Sequence, residues 1–263
     1  DTLSIGDTLI TGTDSYANVR FADGSVMQIG PDSELVFDTL SAYGDNGMVD
    51  SRVRLNRGSA DSIVKEQVGP ESVYRISTPL GVAAVRGTRF RTRIAGDASF
   101  VETVGGAVDY ENDAGATPVG KGFGLRANPG VKDLTVEELL QPADLNPRRL
   151  YGGNESLEWS GLTGAAYYLV NVYSGPTLSE VLAGARVERP EYALASLNPG
   201  SYVFGVRGVA ASGIQGFEAT QPIEVQAPLA APVGLQTEQP NRKAEMRASW
   251  HEVEGASGYR VTL

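Results

Sequence analysis

Three arginines at every second position, Arg89, Arg91 and Arg93, interleave with Phe90, Thr92 and Ile94. On an extended chain successive side chains point to opposite faces, so three guanidinium groups line one face and the apolar set lines the other. A planar guanidinium pairs bidentately with carboxylate or phosphate. The row therefore has the chemistry to dock an acidic partner, a phosphate or an anionic glycan. The same side chains could instead be consumed by cross-strand carboxylates such as Glu102 or Asp109, each pair stabilising by about 0.2–1 kcal/mol. Upstream, Arg86 next to Gly87 offers one more guanidinium to a ligand carboxylate; the alternative is internal pairing of Arg86, with Gly87 marking a bulge or a close backbone approach. Arg86, Arg89, Arg91 and Arg93 are thus the candidate partner-binding residues.

Other reactive patterns are weaker. The chain has no Cys and one His, His251, which removes thiol nucleophiles, Cys/His metal sites and any Ser-His-Asp arrangement that His251 does not serve. Asp45-Asn46-Gly47 through Asp50 clusters oxygen ligands but lacks the ordered calcium-loop series, and a hairpin turn explains Asn46-Gly47 better. Gly120-Lys121-Gly122-Phe123-Gly124 has neither the Ser/Thr nor the following helix of a phosphate loop and reads as a turn. Acidic residues number 32, so carboxylate pairs for glycoside hydrolysis carry no signal of their own. No catalytic residue, cofactor or metal is expected.

The elements that must position the arginines are strands. From Asp1 to about residue 130, short alternating runs are separated by Gly, Asp and Asn turns, the pattern of an antiparallel β domain with about ten strands. Ala17–Phe21 and Val26–Ile29 form a hairpin about Asp23-Gly24. Thr78-Pro79-Leu80-Gly81 suits a type I turn. Across 131–144 the texture changes, and Thr135-Val136-Glu137-Glu138 predicts a capping box opening a short helix that Pro142 stops. Alternation returns from about Leu145. Leu157-Glu158-Trp159 followed by Ala166–Val170 resembles Ala248-Ser249-Trp250 followed by Gly258–Val261, and Trp159 and Trp250 stand about 91 residues apart, close to one immunoglobulin-like sandwich. An Ala/Pro-rich linker, Gln226–Pro232, separates the copies.

Charge sets the partner class. With 22 basic against 32 acidic residues the net charge is −10, which argues against nucleic acid and anionic lipid. No apolar run approaches the ~20 residues of a membrane-spanning helix, and no membrane insertion is expected. The sequence starts at Asp1 without an initiator Met and ends in a strand-like run, so it is expected to be a piece of a longer protein.

Two resemblances follow from these motifs. Leu197-Asn198-Pro199-Gly200-Ser201-Tyr202 has a tyrosine-corner pattern. With Trp159 and Gly213-Ile214-Gln215-Gly216 it resembles a fibronectin type III domain over 145–227, with a second repeat starting at 232–263. The resemblance implies a seven-stranded sandwich with Trp159 in its core and Tyr202 hydrogen-bonded back across a turn; no Arg-Gly-Asp occurs, so integrin-type binding is not implied. Residues 1–130 resemble the FecR-type domain through Gly6–Gly12, Phe21-Ala22-Asp23-Gly24-Ser25, Thr78-Pro79-Leu80-Gly81 and above all Val85-Arg86-Gly87-Thr88-Arg89-Phe90. That resemblance implies an extracytoplasmic, non-catalytic β domain, which in some relatives senses an outer-membrane transporter and controls a sigma factor.

The expected fold is all-β: a FecR-like antiparallel sandwich or roll, a short helical linker, and an immunoglobulin-like, fibronectin III sandwich. The expected function is a non-enzymatic bacterial cell-envelope or periplasmic interaction and sensing module, binding an envelope protein or a wall-derived ligand, with possible links to transmembrane signalling or scaffolding. The alternative expectation is a cell-wall glycan-binding or carbohydrate-active protein with accessory fibronectin III repeats.

Overall fold

The computed structural model describes residues 2–43, 48–66, 72–146, 149–151, 155–177, 180–194, 197–239, 246–256 and 258–261. Among them every regular element is a strand, and no helix is long and apolar enough to cross a membrane. Asp45-Asn46-Gly47 lies outside the described residues.

The first sheet contains thirteen strands, more than the roughly ten expected: β1 (Thr8–Ile10), β2 (Ala17–Arg20), β3 (Val26–Ile29), β4 (Glu34–Tyr43), β5 (Met48–Ile63), β6 (Val73–Thr78), β7 (Gly81–Val85), β8 (Arg89–Ala95), β9 (Ala98–Gly105), β10 (Ala107–Asn112), β11 (Gly115–Gly120), β12 (Phe123–Ala127) and β13 (Val136–Glu138). The expected β2–β3 hairpin is present, in register from Ala17↔Ile29 to Arg20↔Val26. The sixteen-residue β5 organises the rest. Its first half runs between β4 and parallel β6; its second half runs between β3 and β8. The sheet folds over at β5 and encloses Met27, Leu35, Phe37, Leu55, Ile76, Phe90, Val101 and Leu125. Tyr74 on β6 meets Phe21 and Phe90 edge-to-face at 5.3 and 6.4 Å, tying one half of the fold to the other.

Two signature motifs prove to be joints of this sheet. Thr78 Oγ1 donates to Gly81 O at 3.0 Å across the β6–β7 turn. Gly87 has φ +118° in the β7–β8 connection, where a Cβ would stand 2.7 Å from Glu66 Cα, so only glycine fits. Next to it Thr88 exchanges backbone hydrogen bonds with Val64 and donates its hydroxyl to Ala107 O at 2.8 Å.

The expected helix at 135–140 is not formed. Val136–Glu138 instead pairs antiparallel with β12, from Phe123↔Glu138 to Leu125↔Val136, so the first sheet reaches Glu138, past the expected boundary at 130. Pro142 leaves barely one turn for a helix, below the length at which a helix is stable alone, whereas the open β12 edge offers a ready ladder.

The second sheet has the order β14 (Arg149–Tyr151), β20 (Gln215–Gln226), β19 (Gly200–Ala210), β16 (Ala165–Tyr173), β17 (Val181–Val187), faced by a two-stranded ladder of β15 (Ser156–Glu158) and β18 (Glu191–Ala193). Trp159 fills the space between the ladders, 5.4 Å from the Tyr168 ring and 5.8 Å from that of Phe204. The expected hydrogen bond from Tyr202 is present: its hydroxyl donates to Asn198 O at 2.9 Å. Beyond it, β21 (Gln236–Glu238) and β22 (Arg247–Ser249) pair with each other.

Candidate interaction site at the junction of the two sheets

Antiparallel strands commonly bury one face and wet the other. Two strands here break that rule: β9 is buried continuously from Ala98 to Thr103, and β19 from Val203 to Ala210. On β9, Val101 points into the first core, while Ala98 and Phe100 join a separate apolar cluster with Leu139 and Ile214. On β19, Phe204 and Val206 belong to the second core, so Arg207 faces outward. The outward face of β9 meets the turn between β19 and β20, Phe100 against Ile214 and Glu102 against the Gln215 amide.

The arginine row sits in this junction. Strand pairing sets Arg91 opposite Glu102 and Arg93 opposite Phe100. Glu102 is fully buried, with carboxylate oxygens 3.7 Å from Arg91 Nε and 3.6 Å from an Arg93 terminal nitrogen. Arg93 also stacks on Phe100, 3.9 Å from the ring centroid. The remaining guanidinium donors reach across to the turn joining β19 and β20. Arg91 donates to Gln215 O and Gly216 O at 2.7 and 2.9 Å, Arg93 to Gly213 O at 2.6 Å, and Arg126 of β12 to Ser212 O at 3.2 Å. In return the Gln215 amide donates to Glu102 Oε1 at 3.1 Å. Three guanidinium groups thus hold four main-chain carbonyls of one hairpin tip, and the tip's apolar member, Ile214, enters the cluster around Phe100.

A second charged group lies beside it. Arg207 pairs with Glu218 at 3.1 Å and with Asp61 of β5 at 3.5 Å, and donates to the Gln215 side chain at 3.1 Å. Tyr173 donates its hydroxyl to Glu218 Oε1 at 2.9 Å. Burial alone would raise the Glu218 carboxyl, but Arg207, the bonds from Tyr173 and Arg207, and the nearby Arg91 together hold it below the ordinary carboxylate range. Burial, with repulsion from Arg207, lowers Arg91; Glu102 opposes that shift. Burial raises the Tyr173 phenol, reinforced by Glu218. Open clefts of about 360 and 330 Å³ flank Arg207; Asp61 and Arg91 line both.

The four candidate residues therefore divide. Arg91 and Arg93 are engaged within the chain, through Glu102 as one sequence expectation had it and through carbonyls that no sequence pattern marks. Arg86, in the β7–β8 connection, and Arg89, at the start of β8, are exposed. Sequence reasoning missed Arg126, Arg207, Asp61 and Glu218 as members of the site. Arg207 alone carried a signal, as the one charge in the run Val203–Ala210. Among the described residues no group of three or more His, Asp or Glu side chains is arranged to hold a metal ion.

Comparison with known proteins bears on the first sheet. Residues 7–109 match the family described as FecR protein. No curated protein matches the chain. Among solved structures, a chain described as an anti-sigma factor from Parabacteroides distasonis ATCC 8503 aligns at 12% identity and a TM-score of 0.42, covering 50% of this chain and 59% of that one. The extracellular domain of a hybrid two-component system from B. thetaiotaomicron aligns at 10% identity and a TM-score of 0.25, covering 81% of this chain and 37% of its own. TM-scores of this size establish neither shared topology nor shared function.

Proposed function

We infer that this chain is a non-catalytic interaction and sensing module of the bacterial cell envelope, acting on a protein partner in the periplasm. Its FecR-type unit is the recognition part, residues 145–227 are a fibronectin III-like sandwich, and 232–263 begin another. One observation carries the reading: the β8–β9–β12 face closes three guanidinium groups on a hairpin of the neighbouring sheet, chemistry that suits recognition of a protein main chain. The carboxylates there, Glu102, Glu218 and Asp61, each face a guanidinium, an arrangement of structural ion pairs rather than of an acid and base held apart. The match at residues 7–109 supports the FecR-type assignment and with it the envelope location.

Local geometry supports the sandwich assignments. Trp159 lies in the core, and Tyr202 closes its corner. The motif recurs: Trp159 and Tyr168 meet edge-to-face at 5.4 Å while Leu162 N donates to the Tyr168 hydroxyl at 2.8 Å, and Trp250 and Tyr259 meet at 5.2 Å while Val253 N donates to the Tyr259 hydroxyl at 2.7 Å.

Arg89 is the exposed member of the row, and Arg86 is exposed in the β7–β8 connection before it. A photo-crosslinking residue at position 89 in living bacteria is expected to give one discrete adduct with an envelope protein, and the same residue at exposed Glu188 none. Arg89→Glu should cut capture of that protein by about tenfold or more without moving the melting temperature. Adducts with glycan alone, or capture unchanged by the reversal, would contradict the assignment.

A further inference from the structure

The contact between the two sheets is of a kind that separates. Its apolar part is one small cluster, Ala98, Phe100, Leu139 and Ile214 with Phe217 beside it. Beside it the contact is built largely of charge and main chain, and buried ion pairs add little net stability because desolvation offsets their attraction. The pairing is also incomplete: Arg91 Nε and Glu102 Oε2 sit at ion-pair distance, 3.7 Å, outside hydrogen-bond range. Clefts on both sides reach the Arg207–Asp61 pair, where Asp61 retains 36% side-chain exposure. Polar interfaces of this sort between units of one chain resemble transient ones.

What the first unit reads in its neighbour is well defined. The guanidinium contacts from the first unit to the tip end on main-chain carbonyl oxygens, so side-chain identity enters through fit. A Cβ on Gly213 would stand 3.1 Å from the Phe100 ring, and one on Gly216 would stand 2.6 Å from Leu140 O. Between them Ile214 must be apolar. The recognised object is a hairpin tip of the form Gly-apolar-polar-Gly, as in Gly213-Ile214-Gln215-Gly216.

We propose that this tip is a plug held in cis over the β8–β9–β12 face, and that the partner which displaces it presents a β-hairpin tip of the same kind, small residues flanking an apolar one with its carbonyls outward. The proposal rests on reading the chain as an interaction module and names what that module recognises. In the plugged state Arg91, Arg93 and Glu102 are spent on the chain's own hairpin; release exposes two guanidinium groups and a carboxylate to a partner's tip, while Arg86 and Arg89 remain outside the plug.

The probe is a cyclised peptide of residues 207–218, offered to the full chain and to its Ile214→Ser variant, which unseats the tip and leaves the receiving face intact. The variant is expected to bind the peptide about tenfold or more tightly than the native chain, and Arg91→Ala added to it should abolish the gain. In the native chain, hydrogen exchange at the Gln215 amide, bonded to Glu102, is expected to be faster than at Val206 in the core by about tenfold or more. Equal peptide binding by native and variant chains that are both folded, or exchange at Gln215 no faster than at Val206, would overturn the plug. A missing crosslink at position 89 with these results intact would instead count against the envelope-partner reading alone.

Discussion

Glu102→Ala is expected to split the thermal unfolding of this chain into two transitions, where the native protein shows one. Glu102 is fully buried between Arg91 and Arg93 and accepts from the Gln215 amide. Without it two guanidinium groups lose their carboxylate, keeping only carbonyl acceptors, and one amide loses its acceptor. Deleting one member of a buried ion pair costs about 3–5 kcal/mol, comparable to the whole stability of a small domain. The loss falls on the contact between the sheets, since the core of each sheet is untouched. Glu102→Gln keeps the acceptor for Gln215 and should cost less. Acid is expected to act on the second sheet, which holds both hydrogen-bond partners of Glu218, Tyr173 and Arg207. The Glu218 carboxyl is held below its unfolded value, so its contribution is fully present above the ordinary carboxylate range, near pH 4.3, and is lost as pH falls through the lower folded value. Calorimetry should show the native transition falling in that acid window, and two transitions for Glu102→Ala at neutral pH.

Gly58→Ala is expected to unfold the first unit while leaving the second sheet intact. Gly58 stands where β5 leaves β4 and β6 for β3 and β8, with φ +83° and its Cα hydrogen turned against Ser33. An added methyl would lie 2.6 Å from Ser33 Cβ. Ser33 cannot yield, because its amide donates to Thr11 Oγ1 at 2.9 Å and its hydroxyl accepts from Ser59 N at 3.0 Å. The unfavourable backbone costs about 1–3 kcal/mol and the overlap about as much again. Gly96→Ala is the control: its φ is +60° but nothing lies within 4 Å, so only the smaller backbone cost, about 1 kcal/mol, applies. Urea midpoints of the two variants, followed by the near-ultraviolet signal, separate the two causes.

The sequence announced the strands that carry the site more fully than the contacts they make. Alternation in Arg89–Ile94 placed the three arginines on one face, and the same pattern offered Glu102 as a cross-strand partner, which the β8–β9 register brings opposite Arg91. The Asp23-Gly24 turn and the Tyr202 corner were equally legible, because each is decided within a few residues. What a sequence does not display is a carbonyl: the acceptors of Arg91, Arg93 and Arg126 are main-chain oxygens some 86 to 125 residues away, and every residue has one. The capping-box signal at Thr135–Glu138 failed for the opposite reason, a local preference yielding to an open strand edge. Asp61 and Glu218 gave no sign because each looks like any polar position of an alternating strand; only the crossing of two sheets makes them partners of Arg207.

The most direct test of the central claim, that the arginine face of the first unit is closed by the hairpin of the second, is a distance between them. The chain has no cysteine, so cysteines introduced at exposed Asp113 and Glu224 give two unique sites for spin labels. At neutral pH the native chain should show one narrow distance distribution, and Glu102→Ala a broad one extending to longer distances. A broad distribution in the native chain, or a narrow one that Glu102→Ala leaves unchanged, would contradict the account.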